Sequence, residues 1–271
     1  MIENESATFI GFGNMGAAIF DSVFKNNCFK KISIIDPDES KTSRIENSSV
    51  ITYSKISKDI SNSKYIWICV KPQLFSKVSN DLSKYLNPDQ VIISIMAGIT
   101  KKQIINETNH SKVIRIMPNT PAQISKGISV WNTTDNINRS EKMAIEKSLN
   151  SFGKSIYVDK EDIINLSTAL SGSGPGFFYR ILESFIIAGE NSGLEKEISR
   201  KLAIETFIGS AELLNSNDLS PEELRVAVTS PGGTTEAGLN YLEEINIDNI
   251  ITQTISKAVQ RGNELSNESN K

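Results

Sequence analysis

The chain has 271 residues, 38% hydrophobic and 23% charged, enough apolar material for one large core or two modest ones, which excludes a disordered or fibrous protein. Its net charge of -3, from 29 Lys and Arg against 32 Asp and Glu with no basic run, gives no electrostatic footprint for nucleic acid or an anionic membrane, so small molecules are the expected partners. Two cysteines, Cys28 and Cys69, make no framework of bridges, and no apolar stretch approaches the ~20 residues that cross a bilayer, so a reducing, cytoplasmic setting is expected.

The first five residues are acidic and polar and carry no targeting signal. From residue 7 to about 158, short β-type runs alternate with helical stretches. The runs are Ala7 to Ile10, Ile32 to Ile35, Tyr65 to Val70, with Cys69 inside it, Val91 to Ile95 and Lys112 to Ile116. Such alternation predicts an α/β domain with a parallel sheet and helices on both faces, because parallel strands need crossover connections. After about Glu161 the β signal disappears. Pro175 opens a helix carrying Phe178, Ile181, Leu182 and Phe185, and Gly193 can close it. A second helix runs through Ile198, Leu202 and Leu213, and Ser220-Pro221-Glu222-Glu223 spells a capping box for a third. The chain thus divides into an α/β domain over 1–160 and an all-helical domain over 161–271, with a frayed polar end from Glu264 to Lys271. The apolar circumference of Phe177 to Ala188 exceeds what a small helical domain buries alone, and predicts a homo-oligomer, at least a dimer.

Directly after the first run comes Gly11-Phe12-Gly13-Asn14-Met15-Gly16, which opens a helix over Ala17 to Phe24. Glycines there allow a tight turn and close approach of backbone to a pyrophosphate, whose charge the helix N-terminus attracts. Asp36 closes the second run 20 residues after Gly16, where a carboxylate meets an adenosine ribose. A dinucleotide site follows. Later run ends should face the same ligand: Cys69-Val70-Lys71-Pro72, then Met96-Ala97, then Met117 to Pro121, where Asn119 either forms the turn or touches the ligand. In the second half, Leu170-Ser171-Gly172-Ser173-Gly174-Pro175 leads into one helix and Thr229 to Leu239 into another. The latter sets hydroxyls and backbone N–H groups at a helix start, suited to a substrate carboxylate.

The segment Ser230-Pro231-Gly232-Gly233-Thr234-Thr235 through Leu239 resembles the signature of the pyrroline-5-carboxylate reductases. Val70-Lys71-Pro72, Ala97-Gly98-Ile99-Thr100, Met117 to Pro121 and Leu170 to Pro175 recur in that family in the same order. The resemblance implies a Rossmann domain followed by a helical dimerisation domain, with 1-pyrroline-5-carboxylate bound near the nicotinamide of NADPH or NADH at the subunit interface. It also implies that the Thr235 hydroxyl meets the ring nitrogen, that Thr234 and Ser230 surround the carboxylate, and that Glu161 belongs to the proline site. It makes Cys69 to Pro72 and Ile95 to Ala97 cofactor-lining segments. Asp36 stands where many relatives have serine, Ile56 and Ala227 where some have asparagine, and Asp36 raises the prospect of NADH use.

The chemistry of an imine substrate agrees, because a protonated imine already carries the charge that hydride transfer neutralises and needs no acid from the protein. The single histidine, His110, reads as a surface loop residue, and Tyr179, Trp67 and Trp131 as structural. Asp36, Asp38 and Glu39 lack His or Cys at ligand spacing, so no metal is expected. Two other readings fit the same plan: another imine or hydroxyacid reductase, and a dinucleotide-binding sensor without catalysis.

Overall fold

A computed structural model describes residues 5–45, 47 and 49–268, with side chains to residue 266. The readings of residues 1–4 and of 269–271 lie outside it. Contacts group the chain into two compact units, Met1–Ser173 with Ala258–Lys271, and Gly174–Lys257.

The first unit follows the chain as β1 (Ser6–Ile10), α1 (Asn14–Lys25), β2 (Lys31–Ile35), α2 (Glu39–Thr42), β3 (Val50–Tyr53), β4 (Tyr65–Ile68), α3 (Phe75–Leu82), β5 (Val91–Ser94), α4 (Lys101–Thr108), β6 (Val113–Met117), β7 (Gly127–Thr133), α5 (Arg139–Ser151), β8 (Gly153–Tyr157) and α6 (Asp162–Ser167). The sheet order is β3-β2-β1-β4-β5-β6-β7-β8. Strands β1 to β6 pair in parallel, because each crossover carries a helix or a long loop. The runs expected to form a parallel sheet do so, and the parallel pairing ends at β7. It runs antiparallel to β6, because only a short 3₁₀ turn over Thr120–Ile124 joins them, and β8 then pairs in parallel with β7.

Alternate residues feed two cores, as a sheet covered on both faces requires. Ala7, Phe9, Ile32, Ile34, Tyr65 and Trp67 pack with Ile19, Phe20 and Val23 of α1 and with Ala144, Ile145 and Leu149 of α5. Ile10, Ile35, Ile66, Ile68 and Ile92 pack with Phe75 and Leu82 of α3 and Ile104 of α4. Asn138 and Glu141 form the capping box of α5. The buried Glu141 carboxylate also receives Lys64 and Lys112 at 2.8 Å each, tying the starts of β4 and β6 to that helix.

His110 is a correction to the surface reading. It is 5% exposed, and its Nε2 meets at 2.7 Å the carbonyl of Gln90, the residue just before β5, so a partner distant in sequence buries it. Burial, assisted by the charge of Lys112, holds its pKa below the ordinary imidazole value, against the opposing hydrogen bond to Gln90.

In the second unit, α7 (Gly174–Asn191), α8 (Lys196–Asn215), α9 (Pro221–Ala227) and α10 (Thr234–Glu244) precede α11 (Ile247–Glu268). Gly193, at φ 99°, ends the turn after α7, and Ser220 with Glu223 makes the capping box of α9. Phe178, Tyr179, Phe185 and Leu202 are each more than half exposed, which leaves an apolar surface on this unit by itself. The last stretch of α11 belongs to the first unit, where Leu265 lies close to Gly98, and α11 continues to Glu268 rather than fraying at Glu264. No helix among the described residues is long and apolar enough to cross a membrane.

Candidate active site

The carboxyl end of β1 lies between those of β2 and β4, the place where a doubly wound sheet receives a ligand. There the chain turns through Gly11 at φ 94° into α1, which begins at Asn14, three residues before the helix start read from the sequence. A Cβ on Gly11 would sit 2.8 Å from Val70 Cγ1, and one on Gly16 would meet the Gly11 carbonyl oxygen, so both positions must be glycine for the turn to pack on the end of β4. Gly13 differs. It is exposed, nothing lies within 4 Å of the Cβ it lacks, and no side chain caps α1, which leaves an open cradle at a helix N-terminus. That is the geometry a pyrophosphate needs.

Asp36 holds the cradle in place. It is 4% exposed, and its carboxylate accepts from Phe12 N at 2.7 Å, from Asp38 N at 2.9 Å and from Lys41 Nζ at 3.2 Å. The carboxylate therefore turns inward to the glycine loop, and Asp38 rather than Asp36 caps α2, its side chain accepting from Ser40 N. Lys41, 43% exposed, also reaches Asp38 at 3.7 Å. Arg44 pairs with Asp21 at 2.9 Å and lies over the Phe12 ring at 5.4 Å.

Met15 is half-buried on the first turn of α1. Cys69 and Val70 follow β4, half-buried against the glycine turn, and burial pushes the Cys69 thiol pKa far up. Lys71 is exposed and stands before the 3₁₀ turn that Pro72 begins. Met96 is buried beyond β5, its N–H directed to the Ser94 hydroxyl, and Ala97 is half-buried beside it. Asn119 is 8% exposed and its Oδ1 accepts from Ile128 N at 2.9 Å, which makes it a loop brace.

Glu161 sits just before α6 in the first unit. Its Oε1 accepts from Lys101 N at 2.8 Å and from Arg115 Nη1 at 3.0 Å, while Arg115 Nη2 donates to Asn165 at 2.8 Å. Lys101 Nζ donates to Asn132 and to the Thr133 carbonyl. Burial lowers the Lys101 pKa, against the charge of Glu161. Arg115, 1% exposed, is the residue the sequence reading passed over. A cation within the apolar run Val113 to Ile116 was the available signal, since such a group is buried only with a partner.

In the second unit the turn after α9 runs through Ser230, Pro231, Gly232 at φ 69° and Gly233, whose N–H closes on the Ser230 carbonyl at 2.9 Å. Gly233 is the N-cap of α10 and brings no side chain, so exposed Thr234 and Thr235 occupy an uncapped first helical turn. Glu236, half-buried, folds back so that its Oε2 accepts from Gly232 N at 2.8 Å. Among the described residues no group of three or more His, Cys, Asp or Glu side chains is arranged to hold a metal.

The sheet order, the open glycine cradle and the inward carboxylate at the end of β2 define a Rossmann-type domain of the nicotinamide-dinucleotide oxidoreductase class, followed in the chain by a helical domain. The family model for pyrroline-5-carboxylate reductase dimerisation matches residues 161–265, and that for NADP oxidoreductase, coenzyme F420-dependent, matches residues 6–98. The pyrroline-5-carboxylate reductase of Staphylococcus haemolyticus is 34% identical over 268 residues, 97% of this chain and 98% of that one. The structure of a pyrroline-5-carboxylate reductase from Coxiella burnetii superposes with a TM-score of 0.90 at 30% identity, covering 97% of this chain and 99% of that one. The Plasmodium falciparum pyrroline carboxylate reductase with NADP bound gives 0.85 at 28% identity, covering 98% and 100%. The chain belongs to the pyrroline-5-carboxylate reductase family.

Proposed function

We propose that this protein reduces 1-pyrroline-5-carboxylate to L-proline, the last step of proline biosynthesis, as a cytoplasmic homo-oligomer. The observation that carries this reading is the pairing, in one chain related over nearly its whole length to such reductases, of an open glycine cradle and an uncapped, hydroxyl-bearing helix start. A bound reduced nicotinamide dinucleotide supplies the hydride. Gly11 to Gly16 and the α1 N-terminus receive its pyrophosphate, and Cys69 to Pro72, Met96 and Ala97 flank it.

On the substrate side, the Thr235 hydroxyl orients the protonated ring nitrogen, and Ser230, Thr234 and the backbone N–H groups of the α10 start bind the carboxylate. Glu161, fixed by Arg115, contributes its second oxygen to the proline site. Addition of that hydride to the imine carbon would move the C=N electron pair to nitrogen and turn the cation that Thr235 orients into a neutral amine. No general acid is required, in keeping with the buried, hydrogen-bonded state of the single histidine. We further propose that NADH and NADPH both serve, Asp36 favouring NADH and Lys41 offsetting it for NADPH, and that the domains divide functionally near residue 160. The exposed apolar residues of α7 and α8 support burial against a second copy.

Turnover of 1-pyrroline-5-carboxylate against a panel of β-hydroxyacids and other cyclic imines tests the reading. Oxidation of reduced dinucleotide by 1-pyrroline-5-carboxylate in preference to the other imines supports it, and faster reduction of oxidised dinucleotide by a β-hydroxyacid defeats it.

A further inference from the structure

We propose that Glu236 sets the affinity for the substrate carboxylate, by occupying with its own carboxylate a backbone N–H of the turn that receives that group. This inference rests on the reading of the 230–235 segment as the carboxylate site. The turn has few amides to give. The Gly233 N–H is spent on the Ser230 carbonyl at 2.9 Å, Pro231 has none, and the Gly232 N–H, set by the left-handed φ of 69°, is held by Glu236 Oε2 at 2.8 Å.

In the structure, then, this turn already binds a carboxylate, and it is the chain's own. A substrate carboxylate at the uncapped α10 start meets a like charge at the neighbouring Gly232 N–H, and gains that donor only by displacing the Glu236 side chain toward solvent. Glu236 is half-buried rather than enclosed, so the displacement needs only a rotation of its side chain. The residue acts as an internal competitor that weakens substrate and product alike. L-proline is affected because its carboxylate is the same group.

The test compares wild type with Glu236→Ala and Glu236→Gln, reading KM for 1-pyrroline-5-carboxylate, kcat, and the inhibition constant of added L-proline. Glu236→Ala is expected to lower both KM and the proline constant about five-fold, with kcat within about two-fold. Glu236→Gln is expected to lie between, since its amide oxygen still competes for the N–H without the charge. An unchanged or raised KM in Glu236→Ala overturns the inference, as does a large fall in kcat, which would make Glu236 a partner of the imine nitrogen. If wild type does not turn over 1-pyrroline-5-carboxylate, the proposed function itself fails; if it does and Thr235→Val is impaired while Glu236→Ala leaves KM unmoved, only the competitor role fails.

Discussion

The proposed cofactor choice rests on a charge arrangement that two substitutions take apart. Asp36 is 4% exposed and bound by Phe12 N at 2.7 Å and Asp38 N at 2.9 Å, so it cannot swing away from the end of β2. A 2′-phosphate brought to that strand end meets a fixed negative charge, at about 1 to 4 kcal/mol per pair at contact distance. Lys41 Nζ lies 3.2 Å from the same carboxylate with 43% of its side chain exposed, so solvent screening places its opposing attraction near the lower figure, about 1 kcal/mol. Lys41→Ala should therefore reduce kcat/KM for NADPH about five- to ten-fold and leave NADH within about two-fold. Asp36→Ser removes the charge-assisted acceptor of Phe12 N, weakening both cofactors through the loop. That common loss cancels in the ratio, which should move several-fold toward NADPH. Steady-state kcat/KM for each cofactor at saturating 1-pyrroline-5-carboxylate measures this. A ratio unmoved in both variants would refute the assignment of this corner to the adenosine ribose.

Thr235→Val should cut kcat/KM about ten-fold or more, the scale of one or two lost hydrogen bonds, with dinucleotide affinity preserved; an unchanged kcat/KM removes Thr235 from the site. Gly16→Ala places a methyl against the Gly11 carbonyl oxygen and should abolish dinucleotide binding, whereas Gly13→Ala meets no neighbour within 4 Å, so it should fold with wild-type Tm yet bind NADH more weakly in a fluorescence titration. For His110 the folded pKa is depressed, so its contribution to stability is present above the ordinary value of 6.5 and is lost as pH falls through the folded value. The Tm of wild type should drop on acidification below about 6.5, and His110→Gln should flatten that part of the curve; an equally steep curve in the variant would exclude His110 as its origin.

What was legible in the sequence was local. Strands β1, β2, β4, β5 and β6 appear as apolar runs because both their faces are covered, and the glycine turn is readable because its spacing is its function. β3 escaped notice as a four-residue edge strand with Ile51 52% exposed, and β7 and β8 because Ser129, Asn132, Lys154 and Ser155 interrupt their apolar pattern. The antiparallel turn at β7 follows from a short connection that composition does not mark. His110 sits among polar neighbours in sequence, yet the Gln90 carbonyl gives it a buried partner 20 residues away. The same limit applied to the candidate site: Arg115, 46 residues before Glu161, joins it only through the sheet, and Glu236 meets Gly232 only through the rotamer it adopts.

The most direct test of the account is a stoichiometry measurement. The purified protein is given a limiting amount of reduced dinucleotide and an excess of 1-pyrroline-5-carboxylate, and both oxidised dinucleotide and L-proline are quantified. The account predicts complete oxidation with one L-proline formed per dinucleotide consumed. Tight dinucleotide binding with no oxidation on addition of 1-pyrroline-5-carboxylate, or oxidation without L-proline, would contradict it.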